Sequence, residues 1–291
     1  MIIVRLKSGL GNQLFQYAFG LALSEKTGQP LYFDTTWFDG KKKGTPRSYE
    51  LDKFTAEVNC AIPPFLKYRY VKNMFWRFLS DLKMSEPIRF FKEAHFYYDD
   101  QIFQKCEDGV NYYDGYWQSP QYFNAIRPLL LEKLRIKVLS PLGLTLVERI
   151  QKENAISIHV RRGDYAQNKR VNVIHGLCTL DYYQQAIELL LKEEKDVKFY
   201  VFSDDMEWTK ANLKIDGRSV YYVEHTSDAT NHEDLYLMSI CKHQIIANSS
   251  FSWWGAWLND YSLKRVIAPK KWFADASINT YDLIPAEWIQ L

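Results

Sequence analysis

Ala155-Ile156-Ser157-Ile158-His159-Val160-Arg161-Arg162-Gly163-Asp164-Tyr165 is the stretch that decides the fold of this 291-residue chain. Its first six residues are apolar at alternate positions, which is typical of a buried strand. Two arginines follow where this strand ends. A guanidinium group matches phosphate oxygens and keeps its charge, so the stretch favours phosphate binding; a solvated arginine pair in a surface turn is the alternative for this motif alone.

The second half of the chain alternates short apolar runs with helical patterns. Strands are predicted at 155–160, 197–202, 219–224, 244–248 and 265–269, and helices begin near residues 180, 233 and 251. Strict alternation predicts a parallel sheet, because parallel neighbours need a crossover long enough to hold a helix. We therefore expect a doubly wound α/β domain whose ligand lies outside the carboxyl ends of the strands.

Polar residues follow these strands, at 161–164, 203–205, 224–226, 248–250 and 269–271. Together their cations, hydroxyls and carboxylates suit a nucleotide with a charged diphosphate. The hydroxyls of residues 249–252 stand at the start of a predicted helix. They are typical of helix capping, and the same helix start can also bind a phosphate.

The first half opens with its own strand and helix. A strand at 2–6 is followed by Lys7-Ser8-Gly9-Leu10-Gly11-Asn12-Gln13, a helix at 14–25 and a strand at 31–34. The glycines let a ligand approach the helix start, but the third glycine of a dinucleotide fingerprint and the ending of a P-loop are absent. Residues 35–150 are less regular, with helices predicted at 65–83, 122–134 and 143–152. Two domains are expected, at 1–145 and 146–291.

Composition excludes several classes of protein. Lysine and arginine number 37 against 35 acidic residues, so a nucleic-acid partner is not expected. The four cysteines form no C-x-x-C pair, which fits a reducing cytosol better than a disulfide framework or a zinc knuckle. Neither an 18-residue apolar run nor a signal peptide is evident, so we expect a soluble intracellular protein. The 16% of aromatic residues fits sugar stacking as well as core packing.

Metal and hydrolase chemistry are poorly supported by the motifs. His232-Glu233 opens like a zincin motif, but Tyr236 occupies the position of the second ligand, and no Asp-x-Asp pair occurs. A nucleophile elbow is also absent. We therefore expect neither a metal nor another cofactor, and guanidinium groups and helix amides would have to stabilise a departing diphosphate.

Four segments carry a resemblance to a known family. They are Gly-Leu-Gly-Asn-Gln-Leu-Phe-Gln-Tyr-Ala at 9–18, Gly-Tyr-Trp-Gln-Ser at 115–119, His-Val-Arg-Arg-Gly-Asp-Tyr at 159–165 and Asn-Ser-Ser-Phe-Ser-Trp-Trp at 248–254, with weaker support from 202–205. In them the chain resembles the bacterial α-1,2-fucosyltransferases that use GDP-fucose and, more distantly, the α-1,6- and protein O-fucosyltransferases.

The resemblance implies an α/β fold of the GT-B type, with two facing Rossmann-like domains and parallel sheets, in which the carboxyl-terminal domain binds GDP-fucose. Arg161 would hold the diphosphate, His159 and an aspartate of the 203–205 turn would recognise guanine, and residues 249–252 would meet the pyrophosphate. Arg162 is expected to bind the donor or to buttress the site. The donor-binding set is His159, Arg162, Ser203, Asp204, Asp205, Asn248, Ser249, Ser250, Phe251, Ser252, Asn12 and Gln13.

The reaction implied is inverting transfer of L-fucose to the 2-hydroxyl of a galactose-terminated oligosaccharide, with Tyr116 and Trp117 contacting the acceptor. Arg161 is the expected catalytic cation. Asp164 is the candidate general base, although hydrogen bonding to the Gly163 turn is an equally good role for it, and His175 is a second titratable candidate.

Two alternatives stay open. One is transfer of fucose to another hydroxyl, or of a different nucleotide sugar, on the same platform. The other is a non-catalytic glycan-binding module. The predicted location is the cytoplasm, and peripheral contact with the inner face of a membrane, for instance through the loop at 41–43, is left open.

Overall fold

The computed structural model describes residues 1–39, 46–60, 88–215, 217–224 and 231–291. The predictions for the lysine loop at 41–43, the helix at 65–83 and residues 225–226 lie outside the described residues. The chain forms two compact units. Unit 1 contains residues 1–135 and 281–283, and unit 2 contains residues 136–280 and 284–291.

The described part of unit 1 is built on a parallel sheet of four strands. These are β1 (Ile2–Arg5), β2 (Leu31–Asp34), β3 (Ile88–Lys92) and β4 (Val110–Asp114), in the order β2-β1-β4-β3. Helix α1 (Leu10–Thr27) follows β1 and ends at Gly28, whose left-handed φ of 68° a glycine adopts without steric cost. Two shorter helices are α2 (Gln101–Gln104) and α3 (Arg127–Lys133).

The described part of unit 2 contains a parallel sheet of six strands. They are β5 (Asn154–Val160), β6 (Val197–Ser203), β7 (Ser219–Tyr222), β8 (His243–Ile245), β9 (Val266–Ala268) and β10 (Ile289–Gln290). Their order is β10-β9-β8-β5-β6-β7. After β5 the chain therefore adds β6 and β7 on one side of that strand. It then adds β8, β9 and β10 on the other side. The order reverses between β5 and β8, and in doubly wound sheets this switch point is where ligands bind.

Seven helices in the described part of unit 2 connect these strands and cover the sheet. They are α4 (Pro141–Lys152), α5 (Gly163–Gln167), α6 (Lys169–His175), α7 (Leu180–Glu193), α8 (Met206–Asn212), α9 (Asn231–Ile240) and α10 (Ser250–Trp257). None of the described helices, in either unit, has both the length and the apolar character needed to cross a membrane.

Strand β5 is buried on both faces, which explains its apolar sequence. Ile156 and Ile158 pack with Ile187 of α7, whereas Ala155 packs on the other side with Leu146 of α4 and Leu237 of α9. A central parallel strand covered by helices on both sides needs apolar residues at nearly every position. The predicted parallel α/β architecture is confirmed in both halves of the chain.

Candidate active site

The candidate site of unit 2 lies at the carboxyl end of β5. Val160 pairs with Ser203 of β6, and Ile158 pairs with Ile245 of β8. Three segments therefore leave adjacent strands at one edge of the sheet: Arg161, the 203–205 turn and the start of α10. The structure brings together the residues that the sequence predicted for the donor in this half of the chain.

Asp204 connects Arg161 to the turn that follows β5. Its Oδ2 lies 2.6 Å from Nη1 of Arg161, and its Oδ1 accepts the backbone N–H groups of Arg162 at 2.8 Å and Gly163 at 3.1 Å. A Cβ on Gly163 would stand 2.4 Å from Oδ2 of Asp204, so only glycine lets the carboxylate approach this closely. The side chain of Asp204 is thus used to hold Arg161 and its turn.

The side chain of Arg162 contacts two other residues, Asp205 and Trp208. Its Nε lies 3.4 Å from Oδ2 of Asp205, and its guanidinium carbon lies 3.5 Å from the ring centroid of Trp208. A planar cation stacked on indole and paired with a carboxylate is held in one orientation. This geometry supports the buttressing alternative for Arg162.

Ser203 and Asp205 organise the start of α8. Asp205 accepts the N–H of Trp208 as the N-cap, and the hydroxyl of Ser203 accepts the N–H of Asp205 at 3.0 Å. Thr209 Oγ1 lies 2.9 Å from the same hydroxyl. These contacts are ordinary capping chemistry, and donor binding by Ser203 and Asp205 stays a prediction.

His159 is buried and electrically neutral at physiological pH. It is 5% exposed, and its ring lies 5.5 Å from that of Phe251. Burial, reinforced by the positive charge of Arg161, lowers the pKa of His159 to about 3. Within the described part of the chain its Nδ1 has no hydrogen-bond partner. A buried ring nitrogen without a partner is a suitable contact for a polar edge of a ligand.

Helix α10 begins after β8, the strand next to β5, so its amino end lies at the same edge of the sheet as Arg161. Ser249 is the N-cap and accepts the N–H of Phe251 at 3.3 Å. Ser252 is fully buried and donates to the carbonyls of Ala247 and Ser249, so it fixes the turn from inside. Ser250 is half-buried, and its hydroxyl bonds to nothing in the described part of the chain. Ser250 is thus the hydroxyl most available to a ligand.

Asn248 bonds to two other segments of the chain near this helix start. Its Nδ2 donates to the carbonyls of His175 at 2.8 Å and Trp272 at 3.1 Å, and its Oδ1 accepts the Cys178 thiol at 3.5 Å. Asn248 is 3% exposed. The structure thus gives it a supporting role, and direct contact with the donor stays a prediction.

The candidate bases lie on the segment after Arg161. Asp164 belongs to α5, but its side chain lies outside the described residues. His175 ends α6, and its ring stacks on Tyr165 at 4.6 Å. Tyr165 in turn lies 5.1 Å from the guanidinium carbon of Arg161. The ring of Tyr165 therefore contacts both His175 and the guanidinium group of Arg161.

Two tyrosines of α7 support the same edge of the sheet and escaped the sequence analysis. Tyr183 donates its hydroxyl to the carbonyl of His159 at 3.1 Å, and Tyr182 donates to the carbonyl of Ile246 at 2.6 Å. Both side chains are buried. They satisfy carbonyls at the ends of β5 and β8, which fixes the two strands that flank the switch point. The amphipathic pattern of α7 predicts only that they pack inward.

In unit 1 the predicted residues lie after β1 and β4, the two central strands. Gln13 is fully buried: its Nε2 donates to the carbonyls of Ser8 and Ser48, and its Oε1 accepts the N–H of Glu50. Asn12 accepts Nε2 of Gln118 at 2.5 Å and is half-buried. Gln13 thus shapes the loop, and Asn12 is the more accessible of the pair.

Tyr116 and Trp117 have different environments. Tyr116 is half-buried, and Nζ of Lys7 lies 4.6 Å from its ring centroid. Trp117 is 2% exposed and stacks on Phe19 at 4.2 Å. The ring of Trp117 is therefore not available for stacking on a sugar, because the core of unit 1 already covers it. Of these two residues Tyr116 is the more exposed, and its contact with the acceptor stays a prediction.

Glu93, one residue beyond β3, holds the loop that carries Tyr116. Its two oxygens accept the backbone N–H groups of Tyr116 at 2.6 Å and Trp117 at 2.8 Å. Trp117 has a φ of 56°, which a non-glycine residue adopts only under constraint. Burial raises the pKa of Glu93, although the two amides and Lys7 oppose this shift. Because β3 itself was not predicted, Glu93 was not among the expected site residues.

Asp114, at the end of β4, forms ion pairs with two cations at the same edge of the sheet. It lies 2.6 Å from Nζ of Lys7 and 3.0 Å from Nη1 of Arg5. Burial would raise the pKa of Asp114, but the two cations outweigh it and lower the pKa. Lys7 is thereby fixed beneath the ring of Tyr116.

Within the described ranges, no group of three or more histidine, cysteine, aspartate or glutamate side chains is placed to share a metal ion.

The chain is similar in sequence to known proteins over nearly its whole length. The family model described as Glycosyl transferase family 11 matches residues 1–291. The chain is 35% identical to the alpha-1,2-colitosyltransferase of Escherichia coli, covering 100% of the chain and 99% of that protein. It is 33% identical to the O-antigen biosynthesis glycosyltransferase WbnK of the same species, covering 98% and 99%.

More distant matches agree with these. Human galactoside alpha-(1,2)-fucosyltransferase 1 is 30% identical over 103 residues, which is 35% of the chain and 28% of that protein. Among solved structures, NodZ alpha-1,6-fucosyltransferase soaked with GDP-fucose superposes with a TM-score of 0.50 at 18% identity, covering 88% of this chain and 91% of that one. At this identity the superposition shows a shared fold of the GT-B type. The resemblance inferred from the four sequence motifs is confirmed.

Since the family model spans every residue and two bacterial relatives align nearly end to end, the chain belongs to glycosyl transferase family 11, the family of the bacterial α-1,2-fucosyltransferases.

Proposed function

We propose that this protein is an inverting glycosyltransferase that moves L-fucose from GDP-β-L-fucose to the 2-hydroxyl of a terminal galactoside. Family membership and the partial match to a galactoside α-(1,2)-fucosyltransferase support this activity. The proposal assigns the donor to unit 2 and the acceptor to the edge of unit 1 that carries Tyr116.

The observation that carries the proposal is that Arg161 and the start of α10 lie at the same edge of the sheet. The two elements follow β5 and β8, the strands that flank the switch point. A guanidinium and the positive end of a helix both attract a diphosphate. Because these groups are cationic or dipolar, they supply the electrostatic stabilisation that a divalent metal provides elsewhere, and we propose a metal-independent reaction.

In the proposed reaction, the acceptor 2-oxygen forms a bond to the anomeric carbon of fucose as the bond from that carbon to the diphosphate oxygen breaks. Attack comes from the face opposite GDP, so a β-linked donor gives an α-linked product. The electron pair of the broken bond remains on GDP, where negative charge grows next to Arg161. A base accepts the proton of the acceptor hydroxyl, and Asp164 is the proposed base.

The test of this function is product analysis with GDP-fucose and a panel of galactosides. We expect release of GDP to depend on the galactoside, and nuclear magnetic resonance of the product to show an α-linkage at the 2-position. Activity should persist with a chelator present. Binding of galactosides without release of GDP would instead favour the glycan-binding module, and rescue of a chelated enzyme by manganese would contradict metal independence.

A second candidate function is transfer of colitose, the 3-deoxy analogue of fucose. It is favoured by the 35% identity to an alpha-1,2-colitosyltransferase over the whole chain, whereas the match to the human fucosyltransferase covers about a third of it. The two sugars differ by one hydroxyl, so kcat/KM for GDP-fucose and GDP-colitose with the same acceptor separates the candidates. A higher value for GDP-colitose would replace the first proposal with the second.

A further inference from the structure

An aromatic segment of unit 1 has no role in the site described above. His95, Phe96, Tyr97 and Tyr98 begin three residues after β3, and all four side chains are half-buried. Strands β3 and β4 are parallel neighbours. The segment therefore leaves the sheet at the edge where Tyr116 follows β4.

The rings of this segment belong to two groups, one that contains Tyr116 and one that contains Tyr281. Phe96 lies 5.9 Å from Tyr116, with their planes 10° apart. The neighbouring residue Tyr97 stacks on His95 at 3.5 Å and lies 5.6 Å from Tyr281. Tyr281 is 69% exposed, the largest fraction of any aromatic side chain described as exposed. We name Phe96, Tyr97, Tyr116 and Tyr281 the aromatic strip.

The backbone beneath the aromatic strip is held in place. The N–H of Tyr98 donates to Oδ2 of Asp282 at 2.7 Å, which ties the segment to the residue after Tyr281. The N–H of Asp99 donates to the hydroxyl of Tyr122 at 2.9 Å, and the ring of Tyr98 packs on that of Tyr122 at 4.8 Å. Rings that are ordered before binding lose little conformational entropy on contact with a ligand.

Partly exposed aromatic rings suit carbohydrate, because a sugar presents an apolar C–H face to the ring and hydroxyls to polar groups at its rim. We propose that the aromatic strip is an acceptor subsite, which binds the sugar units of an oligosaccharide beyond the galactose that is modified. This inference rests on the proposed function, since Tyr116 must face the acceptor.

The test compares acceptors that share a terminal galactose but differ in length: methyl β-galactoside, a disaccharide and a tetrasaccharide. For Tyr281→Ala we expect roughly a two- to tenfold rise in KM for the tetrasaccharide, the loss of one aromatic contact. The KM for methyl β-galactoside and for GDP-fucose should not change, and Tyr281→Phe should restore the tetrasaccharide value. Phe90→Ala is the matched control, because Phe90 is an exposed aromatic residue within β3, 42% exposed.

An equal effect of Tyr281→Ala on short and long acceptors, or no effect, would overturn the subsite. Calorimetric titration of the tetrasaccharide without donor keeps this result separate from the proposed function. Weaker binding to Tyr281→Ala than to wild type supports the subsite even if the wild-type enzyme transfers nothing to galactosides. Equal binding to the two proteins overturns it.

Discussion

Asp204 holds Arg161 by a 2.6 Å ion pair while its other oxygen accepts two backbone amides of the turn that follows β5. The proposed catalytic cation is therefore oriented by a carboxylate in the turn that follows the neighbouring strand, β6. In the free enzyme this carboxylate also neutralises the positive charge of Arg161, to which the diphosphate would bind.

Arg161→Ala should reduce kcat by about a hundredfold or more, because loss of one preorganised donor to a developing negative charge typically costs about 3 to 4 kcal/mol of barrier. Steady-state kinetics with GDP-fucose measure this effect. Arg149→Ala is the control, since Arg149 pairs with Glu153 at the far end of α4. A near-normal kcat for Arg161→Ala would remove Arg161 from the mechanism.

Asp204→Asn keeps an oxygen for the turn amides but loses the charge that pairs with Arg161. We expect kcat to fall about tenfold, the order of one charge-assisted hydrogen bond, with little change in melting temperature. Asp205→Asn tests the neighbouring carboxylate, which pairs with Arg162 instead. If the two variants lose activity equally, the specific role of Asp204 is contradicted.

Gly163→Ala should act through Asp204. The new Cβ would stand 2.4 Å from Oδ2, so the carboxylate must move away from the turn. We expect a loss of kcat similar to that of Asp204→Asn, and the double variant should lose much less than the sum of the two effects, because both disturb one contact. Additive losses in a double-mutant cycle would show that the two positions act independently.

Asn248→Ala should change stability, whereas Ser250→Ala should change donor binding. Asn248→Ala leaves buried carbonyls without their donor and should lower the free energy of unfolding by about 1 to 3 kcal/mol. Ser250→Ala should leave stability unchanged and raise the KM for GDP-fucose. Urea denaturation and donor kinetics on the same two variants separate support from binding, and an unstable Ser250→Ala would contradict this assignment.

Glu93 should make stability depend on pH. Its pKa is raised in the folded protein, so ionisation costs more in the folded than in the unfolded chain, where the pKa of a glutamate is about 4.3. The stability of the wild type relative to Glu93→Gln should therefore be greatest below that pH and fall as the pH rises through the raised pKa. Denaturation of both proteins between pH 4 and 8 measures the difference, and parallel curves would contradict the raised pKa.

The sequence predicted unit 2 well because its periodic signals are strong. Strand β6 is observed at Val197–Ser203 against a predicted 197–202, and α7 begins at Leu180 against a predicted start near residue 180. Alternation and amphipathicity depend only on neighbouring residues, so they can be read locally. The strand order and its reversal between β5 and β8 depend on pairing at long range, which local patterns do not encode.

Unit 1 was harder to predict. Strands β3 and β4 were missed, since Ile-Arg-Phe-Phe-Lys and Val-Asn-Tyr-Tyr-Asp do not alternate cleanly between apolar and polar residues. The candidate site shows the same limit: a motif identifies which residues cluster, but not which of them face the ligand. Trp117 and Gln13 stand beside Tyr116 and Asn12 in sequence, yet packing turns the first two inward.

The return of residues 281–283 to unit 1 bears on how the protein can be dissected. Asp282 binds the backbone of Tyr98, and Tyr281 packs on Tyr97, so a fragment that ends at residue 135 would lack part of its own structure. Cleavage of the polypeptide at a single position would therefore not leave both units complete. Attempts to exchange the two units between related enzymes will have to transfer residues 281–283 together with residues 1–135.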